Sequence, residues 1–328
     1  MSRPFRRHSQ LRAELARTEA VVAQLREEVA SLQENNANRP LSTKDENDAM
    51  GELQSLASML DRPLVVYDVG ARWGVLSTWE ALGDRVRVVG FDPDAAECDR
   101  LNQLAPANIM YTPTALGHRR GTAVLHITQD PACSSLYRPR LSLIERNVEL
   151  DVIREVSTYE IDVLPLDEWI FENGEEPPDV LKLDTQGSEL DILRGAVNAL
   201  RTIEVVSIEV EFNAIYESQP LFWQVDAYLR NAGFELWRLG PLVHYSASRT
   251  DSRRMTALEV HFDSVHSATV HGAGQLFWAQ AYYVRTDLGV CGIERLTAAR
   301  GWRVAAAARG LGLNDLAELV LSRVPLDD

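Results

Sequence analysis

The chain has 328 residues, of which 45% are hydrophobic, 33 are Lys or Arg and 48 are Asp or Glu, for a formal net charge of −15 and a pI of about 5.0. That length allows one large domain with appendages. The acidic balance argues against nucleic acid or an anionic membrane as the main partner, because both reward basic surfaces. No apolar run approaches the roughly 18 residues of a membrane span. The N-terminal Ser2-Arg3-Pro4-Phe5-Arg6-Arg7 is basic with no apolar stretch behind it, so a cytoplasmic protein is expected. Cys98, Cys133 and Cys291 are odd in number and form no C-x-x-C pair, and they read as reduced thiols.

In residues 9–36, Leu11, Leu15, Thr18, Val22, Leu25, Val29 and Leu32 recur in alternating steps of four and three. This is heptad spacing. Valine in one register and leucine in the other favours a parallel coiled-coil dimer, so a homodimer through this helix is expected. A polar linker and a leading helix occupy 37–60. From Leu64 onward apolar runs alternate with helical patterns. Strand 64–69 precedes helix 73–82, strand 86–91 precedes helix 94–104, and strand 108–112 follows. An extended stretch covers 122–128, before a loop carrying Cys133-Ser134-Ser135-Leu136. Strand 179–184 precedes helix 188–200, strand 203–211 precedes helix 220–232, and strands 234–239 and Phe277–Val284 complete the set. Such alternation predicts a doubly wound α/β sheet with helices on both faces. The expected domain is 61–286, followed by a helical extension over 287–328. Trp223 and Tyr228 read as core residues of helix 220–232.

Two strand ends carry acids ahead of glycine turns. The first, Asp68-Val69-Gly70-Ala71-Arg72-Trp73-Gly74, spaces its glycines G-x-x-x-G. A dinucleotide pyrophosphate needs G-x-G-x-x-G, so a nicotinamide oxidoreductase is the weaker reading. A looser glycine turn beside a carboxylate suits a smaller cationic group, such as the methionine end of S-adenosylmethionine. Asp92 closes the next strand 24 residues after Asp68, between Phe91 and Pro93. There its carboxylate can accept from both hydroxyls of a ribose. Helix N-capping is the competing role for it. Ala115, in Thr114-Ala115-Leu116-Gly117, falls where an adenine edge is expected. The second strand end is Lys182-Leu183-Asp184-Thr185-Gln186-Gly187-Ser188-Glu189.

In order along the chain, Asp68-Val69-Gly70-Ala71, Phe91-Asp92-Pro93, Ala115-Leu116-Gly117, Ser134-Ser135-Leu136 and the Lys182–Glu189 stretch resemble the FkbM family of S-adenosylmethionine-dependent methyltransferases. The resemblance covers roughly 64–285. It implies the class I methyltransferase fold, a Rossmann-like seven-stranded sheet whose last strand is antiparallel, here preceded by the coiled-coil helix. It also implies methyl transfer, usually to a hydroxyl oxygen, on acceptors such as sugars, polysaccharide precursors and secondary metabolites. Two positions depart from the family's usual pattern: Arg72 stands where Asn is frequent, and Gln186 where Glu is frequent. Arg72 adds a cation placed to reach the cofactor's methionine carboxylate. Gln186 removes a carboxylate near the acceptor and questions any role needing two acids there.

Methyl transfer to an alcohol needs alignment of donor and acceptor and a group that takes the proton. Asp184 is the first candidate by position. In Ser207-Ile208-Glu209-Val210-Glu211-Phe212, alternation puts both acids on one strand face, and two acids on a central strand are costly unless paired or functional. Asp184, Glu209 and Glu211 are therefore the catalytic candidates. Lys182 is placed to neutralise one of them, and a divalent cation held by the three is an open alternative. Asp68, Gly70, Arg72, Gly74, Phe91, Asp92 and Ala115 are expected to hold the cofactor. Asn213, Tyr216 and His244 are expected to face the acceptor. His261, His266 and His271 fit no common zinc spacing and read as surface or lid residues. A scaffolding protein, carrying a degenerate cofactor fold on a dimerising coiled coil, is the reading from a different class. The intact acids at positions 68, 92 and 184 argue against it.

Overall fold

The computed structural model of the chain describes residues 43–146, 148–245, 257–261, 267–271, 274–289, 292 and 296–325. The heptads of 9–36, together with His266 and Cys291, lie outside the described residues. The chain divides into two units, Met1–Asn47 and Asp48–Asp328.

Helix α1 spans Thr43–Ser58. Strand β1 (Leu64–Val69) follows, then a short helix α2 (Ser77–Glu80), β2 (Val86–Phe91), α3 (Ala95–Leu104), β3 (Ile109–Thr112) and β4 (Ala115–Leu116). Next come β5 (Gly121–Thr128), α4 (Leu141–Ile144), β6 (Glu155–Leu164), α5 (Leu166–Asn173), β7 (Val180–Leu183), α6 (Glu189–Arg194), β8 (Val205–Glu211) and α7 (Phe222–Asn231). Strands β9 (Phe234–Tyr245), β10 (Ala257–His261), β11 (Ser267–His271) and β12 (Gln275–Arg285) precede α8 (Ala298–Gly310) and α9 (Asn314–Leu321).

The main sheet has seven strands in the order β3-β2-β1-β7-β8-β12-β9. β1, β2, β3, β7 and β8 run parallel, while β12 is antiparallel to both β8 and β9. This is the class I methyltransferase arrangement, with the antiparallel last strand as expected. Alternation along the strands divides the core into two layers. On one face Leu64, Val66, Val180 and Val205 pack with α1, α8 and α9. On the other Val65, Tyr67, Leu181 and Val206 pack with α5, α6 and α7. Each such side chain is worth about 1.5–3 kcal/mol of burial. The alanines Ala305, Ala306, Ala307 and Ala308, read from sequence only as helix formers, are all fully buried, so their small size also serves packing against the first layer.

Several local expectations changed. The helix expected over 73–82 is confined to Ser77–Glu80, because Trp73 and Gly74 are both at positive φ (72° and 108°) and the Val75 N–H is taken by the Tyr111 hydroxyl. The helix expected over 188–200 stops at Arg194, ahead of Gly195. Trp223, expected in the core, is 67% exposed, because Val225 and Leu229 occupy the buried face of α7. Tyr228 does pack against the core, with its hydroxyl on the Leu193 carbonyl. A second, three-stranded sheet of order β4-β6-β5 had only β5 as a sequence counterpart. The histidine-bearing segment forms an antiparallel hairpin of β10 and β11.

Candidate active site

The chain leaves β1 for β2 and β3 on one side and returns to β7 on the other, so a crevice opens at the carboxyl ends of β1 and β7, where open α/β sheets bind ligands. The two ends are pressed together. Gly70 has φ +86°, and a Cβ there would lie 1.8 Å from the Asp184 carbonyl oxygen, so only glycine fits. Backbone bonds from Gly70 N and Ala71 N to the Phe91 carbonyl (2.9 and 3.0 Å) and from Asp184 N to the Val69 carbonyl (2.9 Å) fix the turn.

A cavity of about 260 Å³ occupies this crevice. Gly70, Arg72, Phe91, Asp92 and Ala115 line it together with Asp184, Gln186 and Ser135. The remaining wall comes from the three-stranded sheet, through Leu125 and Ile127 of β5 and Ser157, Tyr159 and Ile161 of β6. Of the expected site residues, Asp68, Gly74, Glu209, Glu211, Asn213, Tyr216 and His244 do not line it.

Asp92 is buried at the end of β2, and its Oδ1 accepts from Asp94 N at 2.8 Å. The N-cap of α3 is Asp94, whose side chain accepts from Ala96 N and Glu97 N; Asp92 is not the cap. Burial pushes the Asp92 carboxyl up to about 6, only partly offset by the Asp94 N–H and the Arg72 charge. Arg72 lies 3.2 Å from Asp94 Oδ2 and 3.9 Å from Asp92 Oδ1, with its guanidinium over the Trp73 ring. Its held position is thus beside the acids at the end of β2. The Arg72 Nε is buried without a hydrogen-bond partner. Phe91 packs edge-on against Trp169 and Tyr67, at 4.7 and 5.5 Å between ring centres.

Asp68 faces the first core layer. Lys182 stands directly beside it in the register of β1 and β7, and its Nζ donates to Asp68 Oδ1 at 2.9 Å. The lysine is therefore an ion-pair partner of Asp68. Gly74 sits beyond the turn, 3.6 Å by its would-be Cβ from the Tyr111 hydroxyl.

The loop after β7 is built around two side chains. Glu189, buried in the first turn of α6, accepts from Thr185 N (2.7 Å), Thr185 Oγ1 (3.0 Å) and Gly187 N (2.9 Å), so it clasps the loop. Gln186, at φ +59°, places its amide among the acids. Its Nε2 donates to Asp184 Oδ1 at 3.1 Å and to Glu209 Oε2 at 3.0 Å. Glu209 and Glu211 are both held well above the usual carboxylate range. Burial is the main cause for each. The charge of Asp184 and then of Glu211 adds to it for Glu209, and that of Glu189 and then Asp184 for Glu211. Burial also pushes Glu189 upward. Among the described residues no three His, Cys, Asp or Glu side chains are grouped to hold a metal ion, so Asp184, Glu209 and Glu211 do not form the cation site left open by the sequence.

Tyr216 is fully buried, with its hydroxyl 2.7 Å from the Cys133 carbonyl and 3.1 Å from Gln186 Oε1. It reaches the acids through Gln186 and does not itself face the cavity. Asn213 is tied to the Leu276 carbonyl at 2.7 Å. His244 lies on the edge strand β9, with Nδ1 3.2 Å from the Leu242 carbonyl. Cys98 and Cys133 are free, and burial pushes each thiol up to about 12. Sequence reasoning missed the cavity wall of β6. Its signal was the period-two run Tyr159, Ile161, Val163 between polar neighbours.

The sequence model of the methyltransferase FkbM domain matches residues 68–236. The chain belongs to this family. No curated protein matches it. Among solved structures, the FkbM methyltransferase of Methylobacillus flagellatus KT is 16% identical, with a TM-score of 0.35, 68% of this chain covered and 44% of that one. This chain thus spans less than half of that protein's length. The precorrin-6y C5,15-methyltransferase of Geobacter metallireducens GS-15 is 13% identical, with a TM-score of 0.31, covering 76% of this chain and 94% of that one. The magnesium protoporphyrin IX methyltransferase of Synechocystis PCC 6803, solved with bound SAM, is 11% identical, with a TM-score of 0.31, covering 77% and 89%. The FkbM match begins at Asp68 and ends in β9, so it takes in Gly70, Asp92, Asp184 and Gln186.

Proposed function

We propose that this protein is an S-adenosylmethionine-dependent O-methyltransferase acting on a hydroxyl of a sugar, a polysaccharide precursor or a secondary metabolite. The observation that carries this reading is one cavity lined by both Asp92, after β2, and Asp184, after β7. The residues present fit such a cofactor. Gly70 lets the ends of β1 and β7 close on each other beside the cavity, and Asp92 on the cavity wall is a buried acceptor suited to two ribose hydroxyls. Phe91, Ala115 and Leu116 offer apolar walls for an adenine. When bound, S-adenosylmethionine supplies an activated methyl group on a cationic sulfur.

The chain's own tasks are to orient the acceptor and to take its proton. Asp184 is the acid on the cavity wall, and it acts as the proton acceptor. Glu209 and Glu211 lie behind it, outside the cavity lining, and burial displaces both upward from the usual carboxylate range. Lys182 and Asp68 neutralise each other beneath the turn. Among the lining residues Arg72 is the only cation, and it is engaged by Asp92 and Asp94. An uncharged acceptor follows from that lining.

Calorimetry with S-adenosylhomocysteine and NAD tests the cofactor. S-adenosylhomocysteine is expected to bind and to raise the melting temperature by mass action. Stabilisation by NAD and not by S-adenosylhomocysteine would favour an oxidoreductase, and response to neither would favour a scaffolding role.

A further inference from the structure

Gln186 stands where the resemblance leads one to expect glutamate, and the geometry gives its amide a specific task. A carboxamide nitrogen carries two hydrogens and only donates. Both are used, one toward Asp184 Oδ1 at 3.1 Å and one toward Glu209 Oε2 at 3.0 Å. The amide oxygen faces the Tyr216 hydroxyl at 3.1 Å, a donor that burial keeps in its neutral form. A flipped amide would set its oxygen against two acids and its nitrogen against Tyr216, losing both donations. The backbone is equally fixed. The Gln186 carbonyl accepts from Ser135 Oγ at 2.6 Å, and the flanking N–H groups of Thr185 and Gly187 are clasped by Glu189.

We propose that Gln186 is a positioning residue for methyl transfer: its amide ties Asp184, on the cavity wall, to the buried Glu209 and fixes which of the two takes the acceptor's proton. This rests on the O-methyltransferase reading. Oδ1 of Asp184 accepts from the amide, the Asp184 carboxyl also shares a hydrogen bond with Glu209, and Asp184 lines the cavity in which an acceptor hydroxyl would sit. In the step, the acceptor oxygen forms its bond to the methyl carbon. The pair of the broken carbon–sulfur bond stays with the donor's sulfur, and the hydroxyl proton passes to the Asp184 carboxylate.

The groups around the acids are accounted for on every side. Glu211 comes from β8, Glu189 from α6, and Cys133 and Tyr216 from the flanking loops. β12 sets the neutral Gln280 opposite Glu209. Lys182, the nearest cation along β7, is bonded to Asp68. A third acid at position 186 would therefore meet two acids that form no ion pair with a cation among the described residues, which favours a bound proton on one of the three.

The test uses the full chain with Gln186→Glu and Gln186→Met, which keep the same side-chain length and the same backbone demand. Calorimetric titration with S-adenosylhomocysteine certifies a folded site. The melting temperature of the ligand-free protein is then followed from pH 5 to 9. An acid displaced upward in the fold contributes stability that is lost as pH rises through its folded value. Gln186→Glu should therefore lose melting temperature more steeply with rising pH than wild type. In the pH–rate profile its acidic limb should move up by about one unit or more. Gln186→Met, which removes both donations without adding charge, should move the limb in the same direction by less. A wild-type pH dependence of melting in Gln186→Glu would overturn the link between amide and acids. A steeper melting dependence with an unmoved acidic limb in both variants would overturn the role in proton transfer. Failure of the wild type to methylate any hydroxyl would sink the reaction assignment, and it is read separately from the melting titration. Should Gln186→Glu fail to fold, an unmoved limb in Gln186→Met alone overturns the proposal.

Discussion

Replacing Asp92 by alanine should move stability and ligand affinity in opposite directions. The Asp92 carboxyl titrates near 6 in the folded chain against 3.8 as a free group. That displacement is a penalty of about 3 kcal/mol at pH 8. Truncation removes it, but also strips the Asp94 N–H of its acceptor at 2.8 Å, a loss of about 1 kcal/mol. The ligand-free variant should therefore be more stable by about 1–2 kcal/mol at pH 8, a rise of about 2–4 °C in melting temperature. The sign follows from the upward displacement. The native group's contribution is fully present below 3.8 and lost as pH rises through about 6, so the variant's advantage appears above pH 6 and vanishes toward pH 4. Affinity for S-adenosylhomocysteine should fall about 10²–10⁴-fold, since two ribose hydroxyls lose a charged acceptor at about 1.5–3 kcal/mol each. Wild-type affinity should itself weaken below pH 6, and the variant's should not. Scanning calorimetry and isothermal titration on one preparation read both effects. An Asp92→Ala protein that melts lower at pH 8 and binds S-adenosylhomocysteine as tightly as wild type would show Asp92 to be a structural residue of the turn, and the reasoning would fail.

Asp184→Asn should bind S-adenosylhomocysteine almost normally and turn over about 10²–10⁴-fold more slowly, as expected for loss of a base; near-native turnover in a steady-state assay would remove it from that role. Lys182→Met leaves Asp68 buried without its ion-pair partner and should cost about 3–5 kcal/mol in urea unfolding, most of it recovered in Asp68→Leu/Lys182→Met. If the single variant loses under about 1 kcal/mol, the pair is not a determinant of the fold. Deleting residues 1–40 should lower the mass seen by light scattering while leaving cofactor affinity unchanged, and a full-length monomer at tens of micromolar would refute the coiled-coil dimer.

The sheet was legible because its strands are apolar on both faces and end in acids and glycines, a pattern that survives without knowledge of partners. The helices nearest the site were not, for local reasons. Trp73 and Gly74 adopt positive φ and delay α2, and Gly195 ends α6 after six residues. Of the cofactor candidates, Gly70, Arg72, Phe91, Asp92 and Ala115 line the cavity, since a strand end fixes direction as well as position. Asp68 misled because alternation turns it away from the crevice, toward Lys182 in register on β7. Glu209 and Glu211 were found by their cost, two acids on one buried face, but the tie of Glu209 to Gln186 was invisible. An amide bridging two strands leaves no periodic trace. Tyr216 and His244 were placed by sequence proximity to the site, and tertiary packing sent one into the core and the other to the sheet edge.

The second sheet begins and ends at the same place. β4 and the end of β6 lie side by side, Ala115 beside Val163 and Leu116 beside Leu164, so the fifty residues that wall the cavity leave and rejoin the main fold through adjacent strands. Such a segment behaves as a cassette. Its exchange closes no new loop across the seven-stranded sheet and leaves Gly70, Asp92 and Asp184 on their own strand ends. Substitution at Ile127, Tyr159 and Ile161 can therefore reshape this wall of the cavity while Gly70, Asp92 and Asp184 stay as they are. A graft of residues 117–162 between two family members would move that wall as one piece and leave Ala115 and Leu116 in place.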